Sequence, residues 1–213
     1  MRRLILVPLL TLLAAVAASA QQFEELYSKH VQVFRPRGTF APRLIKLTPA
    51  EGERWKLVDD QKLNYRLVVP ASAEINATPA GSRVLQVVLN DAPARPRPLL
   101  RVDSFTPAEG DPTVIDADYV DEYVDQYPNT AFKGKFNVTD SGLVVLPKKV
   151  NIAMIGGVYP QGNTGVQRMQ WSYLAADRQI FVTFDCAERE WDTYADTVGR
   201  ILLSLDVMPK KGK

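Results

Sequence analysis

The stretch from Val166 to Leu205 constrains the fold more than any other part of the chain, because its apolar period changes once and sharply. Met169, Trp171 and Tyr173 alternate with Arg168, Gln170 and Ser172; after a polar tip at Ala175 to Arg178, Ile180, Val182, Phe184 and Cys186 alternate on the return. A period of two places such residues on one face of two half-buried strands, so 166–186 is predicted to be an antiparallel hairpin with an aromatic face. From Trp191 the spacing becomes three and four, through Tyr194, Ala195, Val198, Ile201, Leu202 and Leu205. That predicts a helix of about 17 residues, with Asp185 and Glu188 at capping-box spacing before it and Met208-Pro209 closing it.

Upstream, the same periods recur. Leu63, Tyr65, Leu67 and Val69 alternate with Asn64 and Arg66, and Asp59-Asp60-Gln61 supplies a turn to a preceding strand at Arg54 to Val58. Further strands are expected at Arg83 to Asn90 and Leu99 to Thr106, with Ala92 to Pro98 between them as an exposed loop, since Pro93, Pro96 and Pro98 forbid regular pairing. Ala117, Val120, Tyr123, Val124 and Tyr127 share one face of a helix over Thr113 to Gln126, with Asp118, Asp121, Glu122 and Asp125 mainly opposite and Pro128 expected to end it. Strands follow at Gly134 to Val138, Gly142 to Leu146 and Val150 to Tyr159, with turns at Asp140-Ser141-Gly142 and Pro147-Lys148. Strands, helix, antiparallel strands, helix: this order predicts an α+β fold in which helices cover an antiparallel sheet.

The chain begins with an address. Arg2 and Arg3 precede an apolar run from Leu4 to Val16, and Ala18-Ser19-Ala20 forms a small-x-small cleavage site. The run is interrupted by Pro8 and shorter than the roughly 20 apolar residues of a spanning helix, so residues 1–20 are read as a cleaved signal peptide rather than a membrane anchor. No cysteine stands at the cut to carry a lipid. A periplasmic or secreted protein starting near Gln21 is expected. Cleavage removes 2 of the 26 basic residues and none of the 24 acidic ones, which erases the formal excess of +2 and with it any compositional hint of nucleic-acid binding. Residues 21–53 read as an arm: Phe23, Leu26, Tyr27 and Val31 suggest a short helix, and prolines 36, 42 and 49 then impose an extended linker around Phe40 and Leu44-Ile45. Residues 54–207 form the expected domain, and 208–213 a basic tail.

Several motifs together resemble the PsbP and DcrB-like exported proteins. They are the P-x-S after a strand (Val68-Val69-Pro70-Ala71-Ser72), the acidic helix ahead of a glycine-punctuated meander, and the ending Gln179-Ile180-Phe181-Val182-Thr183-Phe184 that runs into a helix closed by Ser204 and a bulky residue. Leu205 stands where an aromatic is usual. The resemblance spans roughly residues 55 to 207. It implies an α/β/α sandwich with a central antiparallel sheet, export, and an accessory or binding role with no shared catalytic site. A photosystem role does not carry over, because fold does not imply function and the only histidine, His30 in the arm, matches no metal-binding histidine of the family.

Catalytic chemistry finds little support. A Ser-His-Asp triad or a histidine metal centre would have to recruit His30. The segment Gly157 to Thr164 has the glycine spacing of a phosphate loop, but Asn163 replaces the required Lys and Pro160 removes a cradling N–H. Asp116, Asp118, Asp121, Glu122 and Asp125 lack the alternation of a calcium loop and read as a solvated helix face. Cys186 cannot make a disulfide within the chain and falls on an apolar strand face, so a buried structural thiol is expected. No catalytic, cofactor or metal residue is assigned. The expected function is a non-catalytic accessory or binding protein for an unknown protein or small molecule, with no nucleic acid and no stable membrane anchor. The alternatives are a carboxylate-based hydrolase and a carrier of a lipid or other hydrophobic ligand.

Overall fold

The computed structural model describes residues 32–34, 55–60, 65–76, 81–89, 96–146, 150–175 and 178–207; the segment read as a signal peptide, the helix expected at 23–31, His30, most of the arm and the tail lie outside them. In chain order the elements are β1 (Gln32–Phe34), β2 (Trp55–Asp60), β3 (Tyr65–Pro70), β4 (Glu74–Asn76), β5 (Arg83–Val88), β6 (Leu99–Phe105), α1 (Ala117–Phe132), β7 (Asn137–Leu146), β8 (Val150–Gln161), β9 (Thr164–Ala175), β10 (Arg178–Ala187), α2 (Trp191–Ser204) and β11 (Asp206–Val207). Eight strands make one sheet in the order β1-β7-β8-β9-β10-β6-β5-β4, and β11-β3-β2 make a second, with antiparallel pairing throughout the described residues.

The aromatic hairpin forms as its spacing predicts. Ile180 pairs with Tyr173, Val182 with Trp171 and Phe184 with Met169, so the alternating apolar residues of β9 and β10 share one face. That face is buried by α2, where Trp191 and Tyr194 lie against Phe184, and by the small sheet, whose Tyr65, Leu67 and Val69 enter the same core. The opposite face carries α1. The architecture is an α/β/α sandwich whose second outer layer is shared between a helix and three strands. β1 shows that the arm contributes an edge strand, with Gln32, Val33 and Phe34 paired to Val145, Val144 and Leu143.

Several local expectations fail: Asp59 and Asp60, expected in a turn, instead close β2 opposite Arg66 and Tyr65. Pro128 does not end α1: the helix continues to Phe132, whose ring stacks on Phe136 and packs tilted against Tyr159, and stops at a left-handed Lys133 (φ 52°) with the Gly134 amide donating to the Pro128 carbonyl over 2.9 Å. Aromatic packing of the last turn outweighs the proline's lost N–H. Asp140-Ser141-Gly142 is not a turn either, because β7 runs through it with a register shift between Val138 and Asp140. Pro98 lies in a segment expected to be exposed, yet it is buried and its carbonyl accepts from the Leu89 amide at 3.0 Å. Finally α2 has 14 residues and no side-chain cap at its start.

The end of α2 is set by Ser204. Its buried hydroxyl donates to the Ile201 carbonyl at 2.7 Å and accepts from the Val68 amide at 2.9 Å, so it ties the last helical turn to β3 just before the chain turns into β11. Ser204→Ala would strand the buried Val68 N–H and is expected to cost about 1–3 kcal/mol. Urea denaturation would show this, and an unchanged midpoint would mean that the bond contributes nothing net.

Candidate functional site

On the helix-covered face, Ile155 of β8 packs with Tyr127 and Phe136, but the β9 and β10 residues beneath α1 are polar. Arg168, Gln170 and Ser172 of β9 and Gln179, Thr183 and Asp185 of β10 form this layer, and α1 lays Tyr119, Tyr123 and Tyr127 along it. Residues four apart share a helix face, so the three phenols meet three successive groups of partners. Gln179 Nε2 donates to the Tyr119 hydroxyl at 2.9 Å and to Ser172 Oγ at 3.2 Å. The Tyr123 hydroxyl donates to Gln170 Oε1, while Gln170 Nε2 donates to Thr183 Oγ1 at 2.7 Å.

The third group is the charged one. Arg168 Nε donates to Asp185 Oδ1 at 2.6 Å and its Nη2 to Oδ2 at 2.8 Å; Arg101 of β6 also holds Oδ2. The same guanidinium reaches the Tyr127 hydroxyl at 3.3 Å and the Tyr159 hydroxyl at 3.4 Å, and it lies 5.0 Å from the ring centroids of both Phe132 and Tyr159. Such a planar, weakly hydrated cation suits bidentate pairing and aromatic contact together. Burial alone would lower the Arg168 pKa, but the hydrogen bonds and charge of Asp185 outweigh it and hold the group firmly protonated. Desolvation raises the pKa of Tyr119, Tyr123 and Tyr127, with the charge of Arg168 offsetting part of that at the last two.

These shifts set a pH dependence. Tyr65, Tyr159 and Tyr173 are raised by burial as well, and burial, followed by Glu190 and Asp185, pushes the Cys186 thiol up to about 12. In the unfolded chain these groups release their protons first, so above the ordinary thiol and phenol values the unfolded state binds fewer protons and stability falls as pH rises. The urea midpoint is expected to decline steadily from about pH 9 upward; a flat profile to pH 11 would contradict the burial of these hydroxyls.

Past α1, the same sheet face continues over β10, β6, β5 and β4 without a described element on top. Phe105, 43% exposed, makes an edge-on contact with Phe181, and Arg83 pairs with Asp103 at 3.4 Å. The opposite, inner layer is tight: Trp171 and Tyr173 expose 1% and 0% of their surfaces.

The sequence-level candidates scatter. Cys186 is buried as expected. Asp185 does not cap a helix; its carboxylate is held by Arg168 and Arg101. Asp116 caps α1 by accepting from the Tyr119 amide at 2.9 Å, and Glu122 accepts from Gln126 Nε2 at 2.8 Å. Gly157 to Gln161 continue β8, so the glycine-rich stretch is strand with a two-residue turn at Gly162-Asn163. Pro160 is tolerated because it lies beyond Val158, the last β8 residue paired with β7. Among the described residues no group of three or more His, Cys, Asp or Glu side chains is placed to hold a metal ion, and no helix is long and apolar enough to cross a membrane.

Against known structures, the decisive overlay is with the solution structure of cyanobacterial PsbP from Synechocystis sp. PCC 6803, which covers 81% of this chain and 99% of that one at a TM-score of 0.56 and 14% identity. The fold is that of PsbP. The sequence resemblance over residues 55 to 207 is thereby borne out at the level of architecture. Looser overlays, both at a TM-score of 0.46, are with LpqN, a protein involved in cell envelope biogenesis of Mycobacterium tuberculosis (15% identity, 87% of this chain and 96% of that), and with a Pseudomonas aeruginosa protein of unknown function (13%, 74% and 99%). Neither carries weight for this chain. No family model and no curated protein matches the sequence. In PsbP-fold terms, the tyrosine row and the Arg168–Asp185 pair fasten the helix of one layer to the sheet.

Proposed function

We propose that this chain is an exported, non-catalytic binding protein that presents the open half of its sheet, β10-β6-β5-β4, to a protein partner. One observation carries the reading: the charged and hydroxyl groups beneath α1 are engaged with one another, whereas Phe105, Phe181 and Arg83 on the neighbouring half face outward with no described element above them. Asp185, the most enclosed carboxylate in this layer, has both oxygens held by arginines, which leaves it unsuited to act as a general acid or nucleophile. Exposed aromatic residues flanked by arginine are the anchors protein interfaces favour. Export through a signal peptide cut near Ala20 places the protein in the periplasm or outside the cell.

A photo-reactive side chain at Phe105, compared with one at Glu122 on the outer side of α1, tests the surface in the native host. Crosslinks to a protein from Phe105 and not from Glu122 are expected; equal labelling at both, or none at Phe105, would remove this face from the function. Mass spectrometry of the exported form should find Gln21 at its N-terminus, and an intact Met1 would argue against cleavage.

A further inference from the structure

The inner layer, between the large sheet and the small one, contains hydrogen-bonding groups that its packing leaves unused. Tyr173 and Trp171 lie on the inward face of β9, fully buried in the core they share with Tyr65, Leu67 and Val69 of β3. Among the described residues, neither the Tyr173 hydroxyl nor Trp171 Nε1 has a hydrogen-bond partner. Such a group loses on folding the bond that water gave it in the unfolded chain, and native interiors leave few donors in that state. Across the layer, Tyr65 is buried, and the ladder sets Asp60 of β2 directly opposite it, so both side chains leave the small sheet on one face. Burial raises the pKa of Tyr173, and Tyr65 and Asp60 raise it further; Asp60 acts on Tyr65 in the same way. The three groups are therefore within electrostatic reach of one another.

We infer that this layer contains a binding site for one buried water, which accepts from the Tyr173 hydroxyl and donates to the Tyr65 hydroxyl oxygen and the Asp60 carboxylate. The inventory of donors and acceptors matches at each contact. A phenol can give or take a hydrogen bond, a carboxylate only takes, and an indole N–H only gives. Water has two protons and two lone pairs: the protons go to Asp60 and Tyr65, one lone pair to Tyr173, and the second to Trp171 Nε1, the other unpartnered donor on the same strand face. Asp60 has a partner of its own within the chain, but a carboxylate offers about four lone-pair sites and can serve both. Interior waters occur about once per 27 residues and make about three hydrogen bonds, so both the number of polar groups and the burial suit one. Its place gives it a consequence: it links β9 of the large sheet to β2 and β3 of the small one through polar groups inside an apolar layer of Leu67, Val69, Ile180 and Val182. It uses neither the groups beneath α1 nor the sheet half assigned to the partner, so each reading can fail without the other.

A crystal structure of the full chain at a resolution that shows ordered solvent is the first test. A water is expected about 2.7–2.8 Å from Tyr173 Oη and within hydrogen-bond distance of Tyr65 Oη and the Asp60 carboxylate. A dry Tyr173 hydroxyl, or one bonded directly to a protein group, would overturn the inference. Tyr173→Phe and Tyr65→Phe keep the rings and remove one water contact each. Each should lower the urea midpoint, and the double variant should lower it little further than the larger single loss, because both remove the same bridge. An unpaired buried hydroxyl predicts the opposite sign, since deleting it relieves a penalty and raises the midpoint. Oxygen-17 magnetic relaxation dispersion counts long-lived internal waters in the folded state whatever its stability. The Tyr173→Phe protein should hold one fewer than the wild type. A raised midpoint for Tyr173→Phe, additive losses in the double variant, or an equal count of internal waters would each overturn the inference.

Discussion

Asp185→Ala is expected to lower the unfolding free energy by about 3–5 kcal/mol, the range for removing one partner from a buried charged group. The carboxylate is shared by two guanidinium groups, and the side chains of Arg168, Arg101 and Asp185 are each less than one-fifth exposed. Deleting it leaves two neighbouring cations with little water to solvate them, and Arg168 is further enclosed by the rings of Phe132 and Tyr159. Chemical denaturation of the purified protein, with Arg168→Met/Asp185→Leu as companion, separates charge from packing: the double variant removes the mutual pair and should recover part of the loss. A loss below about 1 kcal/mol for Asp185→Ala would class the cluster with ordinary surface pairs.

The second large effect belongs to Gly157. A Cβ added there would stand 2.3 Å from the Asn137 carbonyl oxygen and 2.6 Å from the ring of Phe136. Backbone cannot move aside as a flexible side chain can, and Phe136 belongs to the small core of Tyr127 and Ile155 beneath the end of α1. Gly157→Val is therefore expected to cost about 3 kcal/mol, at the upper end for overpacking. Gly162→Ala serves as a comparison, because its φ of 62° is strained for a side chain but nothing lies within 4 Å of the added carbon. If the two variants lose equal stability, backbone conformation matters more here than the contact with β7.

The hairpin of β9 and β10 and the helix that follows were legible because each has a sustained period, and burial enforces the period residue by residue. What the sequence hid depends on groups distant along the chain. Asp140-Ser141-Gly142 has the composition of a turn, yet it pairs with Gly156, Ile155 and Met154 of the neighbouring strand, and β7 continues through it after a bulge. Pro128 reads as a stop because its own lost bond is visible locally, whereas the rings that hold the next turn come from Phe136 and Tyr159. The Arg168–Asp185 clamp occupies strand positions that read as solvent-facing. One signal was available: Tyr119, Tyr123 and Tyr127 recur every four residues, and hydroxyl-bearing rings on a buried helix face call for polar partners across the layer.

The strand order also implies a history for the molecule. From β6 the chain crosses by α1 to β7, on the far side of three strands not yet made, and then walks back through β8, β9 and β10 until it meets β6 again. Apart from β1 at the far edge, each half is stitched by short-range neighbours, but the ladder from Gln179 opposite Phe105 to Asp185 opposite Leu99 joins stretches more than seventy residues apart. Loop-closure entropy makes such a seam slow to form. Asp185 sits on one lip of it, with Arg168 beside it on β9 and Arg101 across the gap on β6, and so works as a rivet. Amide protons along the β6–β10 ladder should gain protection late in refolding, after those of the β7-β8-β9-β10 meander.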